Sequence, residues 1–67
     1  MASPKLDTKL SAREAAAARR LILDEGAKKA AKLMGLHDVR TARKLAVGER
    51  AHPLSVSVAR AALARVI

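Results

Sequence analysis

The residues with chemistry to offer in this 67-residue chain are 14 Lys and Arg, six Asp and Glu, and two His; Cys, Phe, Tyr and Trp are absent. Catalysis requires an acid, a base or a nucleophile converging in a pocket. Here the six carboxylates are scattered, and His37 and His52 stand at no metal-ligand spacing. Two of the acids have a simpler use. Glu14 follows Ser11 by three residues, as in a capping box, and Asp38 stands where it would cap a helix. No enzymatic activity, metal, cofactor or small-molecule substrate is expected. The informative chemistry is basic. Between Asp38 and Val47, winding the residues at about 100° each puts Val39, Ala42, Leu45 and Ala46 on one face. Arg40 and Lys44 then point almost directly away from it, with Thr41 and Arg43 on the flanks.

The cationic surplus gives a formal net charge of +8, a like-charge density that favours a polyanionic partner. Nucleic acid is the first candidate and an anionic lipid surface the second. No apolar run reaches the roughly 18 residues of a membrane span. The N-terminus lacks the long apolar segment of a secretory signal. A cytoplasmic protein without a membrane partner is therefore expected. The missing aromatic side chains remove the stacking platforms of single-strand and many RNA binders. Double-stranded DNA gains from that, and RNA is disfavoured but retained as an alternative because Arg also stacks on bases.

Positioning these residues calls for four helices, and the chain reads as all-α, a compact bundle of four short helices. Residues 1–10, with Pro4 and little apolar periodicity, read as a flexible basic arm in which Lys5 and Lys9 are candidates for phosphate contact. A solvated tail is the plainer alternative. The folded domain is expected over residues 11–67. Helix 1 starts at the Ser11 capping box, runs through the alanine-rich stretch to Leu23 and stops at Gly26. Helix 2 spans Ala27 to Met34, with Ala30, Ala31, Leu33 and Met34 inward and Lys28, Lys29 and Lys32 toward solvent. Gly35 permits a sharp change of direction, and Leu36 plugs the turn. Helix 3 runs from Asp38 to about Val47, and Gly48 closes it. His52, Pro53 and Ser55 mark the start of helix 4, with Ser55 as its cap. Its stripe of Ala59, Ala62, Leu63 and Val66 is expected to pack on helices 1 and 3. Val56, Val58 and Ile67 lie partly off that stripe and suit a dimer surface. A chain this small without Cys gains burial by self-association, so a homodimer is expected.

The segment AKKAAKLMGLHDVRTARKLAVGERAHP, Ala27 to Pro53, resembles the helix-turn-helix of bacterial and phage repressors of the lambda repressor, Cro and LacI type. The resemblance covers 27 residues. It is carried by Ala31 in the first helix, Gly35 four residues later, Leu36 directly after it, and the connection LAVGERAHP. In the family's pattern the apolar positions of the recognition helix fall where this chain has Thr41 and Lys44; here they come one later, at Ala42 and Leu45. Burying Lys44 unpaired is costly, so a turn longer by one residue is expected instead.

The resemblance implies that helix 3 enters the major groove. It makes Arg40 the first base reader, through paired bonds to guanine O6 and N7. Thr41, Arg43 and Lys44 follow as base or phosphate contacts, and His37 in the turn as a base or phosphate contact. Lys28, Lys29, Arg50 and His52 become phosphate contacts that orient the module. The implied whole is a homodimeric transcriptional repressor, bacterial or phage-encoded and nucleoid-associated when bound. The residues taken alone also suit a helical module for an acidic protein partner, or an RNA-binding protein. A solvated helix face is the plainer alternative for the same cations.

Overall fold

The computed structural model describes residues 7 to 66. It contains α1 (Ala12–Glu25), α2 (Ala27–Leu33), α3 (Val39–Ala46) and α4 (Pro53–Val66), with no strand among the described residues. The fold is the expected all-α bundle. At the start of α1, the Ser11 hydroxyl accepts from the Glu14 N–H at 3.2 Å, while Glu14 Oε1 accepts from the Ser11 N–H at 2.9 Å. Two amide groups that the first turn leaves unpaired are thereby satisfied. At the other end the Gly26 N–H donates to the Ile22 carbonyl at 2.8 Å, and the Gly26 carbonyl accepts from the Ala30 N–H at 2.9 Å, so α1 and α2 meet at one residue. Asp24 and Glu25, at a helix end that disfavours acids, each face a cation four residues away: Arg20 at 4.0 Å and Lys29 at 3.8 Å.

α2 ends in a Schellman motif. The Leu36 N–H reaches back to the Ala31 carbonyl at 2.8 Å and the Gly35 N–H to the Lys32 carbonyl at 3.0 Å. Gly35 sits at φ +73°, and a Cβ there would lie 2.7 Å from Val58 Cγ1. Glycine is thus required both by the backbone angle and by the close approach of α4. The same pair of bonds closes α3, from the Glu49 N–H to the Lys44 carbonyl (2.8 Å) and from the Gly48 N–H to the Leu45 carbonyl (3.1 Å).

Helix α1 packs against α2, α3 and α4, and α2 packs against α3. Seven of the 13 buried hydrophobic residues are alanines, which let the helices approach closely but supply little apolar area each. Met34, Leu45, Leu63 and Val56 are the largest fully buried side chains. Four details differ from the periodicity reading. Leu33, expected inward, is 47% exposed; the buried residues of α2 are Ala30 and Ala31, continued by Met34 at its C-cap, and Leu33 falls to their side. Val56, expected off the stripe, is fully buried with Ala59 and Leu63, while Ala62 is only half-buried. The apolar face of α4 therefore starts one turn earlier, and α4 lies chiefly on α1 rather than on α1 and α3 together. The α4 cap is His52: its Nδ1 accepts from the Leu54 N–H at 3.1 Å and its carbonyl from the Val56 N–H at 3.1 Å. Ser55 lies inside the helix.

Lys5 and most of the expected arm fall outside the described residues, as do the side chains of Val66 and Ile67. The described part of the arm, Asp7 to Leu10, is docked. Leu10 belongs to the core, the Thr8 carbonyl accepts from the Ala51 N–H at 2.6 Å, and Asp7 pairs with Arg60. Arg60 on α4 also donates through Nε to Glu14 Oε2 at 2.7 Å. Glu14 thus uses one oxygen for its own helix cap and the other for α4. This bond to Arg60 is the main reason its carboxyl is held below the ordinary glutamate value; partial burial opposes the shift, and the Ser11 bonds add to it. The two carboxylates in turn hold the Arg60 guanidinium more firmly in its charged form, Glu14 contributing more than Asp7.

Candidate nucleic-acid interface

The register of α3 decides which side chains leave the bundle. Ala42, Leu45 and Ala46 are buried, Val39 and Thr41 are half-buried, and Arg40, Arg43 and Lys44 are exposed. The apolar positions are those found at Ala42 and Leu45, with Lys44 in solvent. Five residues, Met34 to Asp38, separate α2 from α3. That is longer than the usual three- to four-residue turn.

Both ends of α3 are held. The Asp38 carboxylate accepts from the Arg40 N–H at 2.8 Å, fixing the first turn from which Arg40 projects. At the far end Arg19 Nη1 on α1 donates to the Ala46 carbonyl at 2.8 Å. A cation at a helix C-terminus completes a carbonyl there and opposes the helix dipole favourably. Arg19 was not legible as a functional position: its partner is a backbone atom 27 residues away, and no pattern of side chains encodes that.

Two open grooves border the first turn of α3, one through Val39 and the other through Thr41; neither is lined by Arg40, Arg43 or Lys44. One lies on the α2 side, rimmed by Lys28, Lys29, Lys32 and His37 over a floor of Ala31, Leu36 and Val39. The other lies on the α4 side, between His37, Asp38 and Thr41 and the first turns of α4 at Leu54, Ser55 and Val58. His37 borders both. The predicted phosphate residues Lys28 and Lys29 therefore share a groove with His37, and Thr41 lies on the opposite flank. Arg50 and His52 are exposed and line neither groove. His52 has an additional duty, since capping α4 occupies its Nδ1. Lys32 and Leu54 also line these grooves, on the α2 side and the α4 side respectively.

The charges are unevenly distributed. Residues 27–47 hold six Lys and Arg against one acid, Asp38, whose carboxylate is engaged with the backbone. Asp7 and Glu14 pair with Arg60 of α4, Asp24 with Arg20 within α1, and Glu25 with Lys29 of α2. Lys28, Lys32, Arg40, Arg43 and Lys44 form no ion pair among the described residues. Residues 27–47 thus carry five of the eight net positive charges of the chain. No group of three or more His, Asp or Glu suited to a metal ion occurs among the described residues. No helix among them is long and apolar enough to cross a membrane. Comparison of the chain with protein-family models, curated proteins and solved structures gives no match in any of the three.

Proposed function

We propose that the chain is a sequence-specific double-stranded DNA-binding protein, a small homodimeric transcriptional repressor that lays α3 in the major groove. The observation that carries this reading is the crest of Arg40 and Lys44. It projects from a helix held at both ends, and the basic α2 groove meets the same helix at Val39. A helix is the element that fits the major groove, and guanidinium and ammonium groups on its outer face meet acceptors on base edges. The α2 lysines are then placed for the phosphates that border that groove. Two copies would align with an inverted repeat whose half-sites lie about one helical turn apart, roughly 34 Å.

A competition gel shift tests the reading. Duplexes selected from a random library should be retained against excess random duplex, and the selected sequences should share an inverted repeat. Equal retention of every duplex would overturn sequence specificity, and preferential retention of single-stranded RNA would transfer the same cations to the RNA class. Binding of one copy to one isolated half-site would overturn the dimer.

A further inference from the structure

The two grooves beside α3 differ in a way that bears on what each one faces. The α2 groove is rimmed by lysines. The α4 groove contains no Lys or Arg; its polar members include the Asp38 carboxylate, which would repel a phosphate. Its exposed apolar members are Leu54, 70% exposed in the first turn of α4, and Val58, 45% exposed one turn later. Thr41 faces them from α3. The position of Leu54 is held: its N–H donates to His52 Nδ1, and Pro53 precedes it in the first turn.

We infer that Leu54, with Thr41, is a specificity-determining contact to the methyl group of a thymine in the major groove, next to the base pair read by Arg40. The inference rests on the proposed DNA-binding reading and deepens it. With α3 in the groove, the lysine-rimmed flank suits phosphates, whereas the flank without Lys or Arg, where Asp38 would repel a phosphate, suits the uncharged base edges. The apolar group on the major-groove edge is the thymine C5-methyl, and an apolar side chain is the matching contact. An exposed leucine in a groove bordering α3 then has a partner that the cationic crest of that helix draws in.

The test takes the best duplex from the selection and replaces its thymines one at a time by deoxyuracil, which removes the methyl and leaves pairing intact. The wild-type chain should lose about fourfold in affinity at one thymine per half-site, the factor that one buried methyl-sized group is worth. Leu54→Ala should bind the thymine duplex about as weakly and be indifferent to deoxyuracil at that position. Its helical circular dichroism should be unchanged, because Leu54 is on the surface. Thr41→Ser, which removes only a methyl, should reduce the same discrimination. Duplex binding without sensitivity to deoxyuracil at any position, a selected site without thymine, or a Leu54→Ala variant that stays sensitive would each overturn the inference while leaving DNA binding intact. So would a change of oligomeric state in Leu54→Ala with unaltered base preference, which would assign this face to a second copy. Absence of any duplex binding by the wild type would overturn the DNA-binding reading and this inference with it.

Discussion

At the scale of single residues, the bundle separates side chains that hold the fold from those left for a partner. The Arg40 side chain makes no hydrogen bond or ion pair among the described residues, although its backbone N–H is capped by Asp38. Arg40→Ala should therefore leave the melting temperature nearly unchanged. It should cost about 1–3 kcal/mol of affinity for the selected duplex and relax preference at one base pair, measured by gel shift on single-position variants of that site. Gly35 is the opposite case. A side chain there meets both a left-handed backbone angle and Val58. Gly35→Ala should destabilise by about 1–2 kcal/mol from the backbone alone, read as a lower thermal midpoint. Adding Val58→Ala should recover only the contact part, and full recovery would show that the backbone angle is not limiting. Glu14 sets an acid limit. Its carboxyl is lowered in the folded chain, so its contribution is fully present above the ordinary value of about 4.5 and is lost as pH falls through the lowered one. Glu14→Gln should reduce stability at neutral pH and flatten the decline below about 4.5, seen in chemical denaturation at several pH values.

At the scale of elements, α3 matters because both its ends are fastened to other parts of the chain. Its start depends on the Asp38 cap, and its end on the Gly48 motif and on Arg19 reaching across from α1. Asp38→Ala removes an acceptor at the first turn and should cost about 0.5–2 kcal/mol of stability. The same change should weaken binding to the selected duplex more than to random duplex, since the turn that frays is the one presenting Arg40. Parallel titrations against the two duplexes check this, and equal loss on both would show that the cap acts on overall stability alone. The helix boundaries were legible in the sequence because capping is local: Ser11, Gly26, Gly35, Asp38 and Gly48 act within a few residues of themselves. Which face of α4 is buried was less legible, because Val56 and Ala62 are both small apolar residues and only the position of α1 distinguishes them.

At the scale of the whole molecule, the acids of the arm and α1 are spent on Arg60, Arg20 and Lys29, which leaves Lys28, Lys32, Arg40, Arg43 and Lys44 without an ion pair among the described residues. Affinity for duplex DNA should therefore fall steeply with salt, because each phosphate neutralised releases condensed counterions. Lys28→Ala should weaken specific and random duplexes alike and reduce the slope of log affinity against log salt by about 1. A variant with an unaltered slope would place Lys28 away from the phosphates. The alanine-rich core limits stability. With four large side chains fully buried, α1 serves as the common contact of the other helices, and loss of its packing would release all three.

Composition and periodicity alone set the helical class, the number of helices, the caps of α1 and α3 and the outward face of α3, because each of these depends on residue types a few positions apart. The one-residue shift of the apolar register to Ala42 and Leu45 was also legible, since leaving Lys44 in water is cheaper than burying it. Four features required the tertiary structure: the docking of Leu10 and Asp7, the Arg60 bridge to Glu14, the Arg19 bond to the end of α3, and the groove that sets Leu54 opposite Thr41. Each joins residues more than ten positions apart through the packing of α1 and α4, and such pairings leave no local spacing to read. The crest of Arg40 and Lys44 belongs to the first group; the difference between the two grooves bordering α3 belongs to the second.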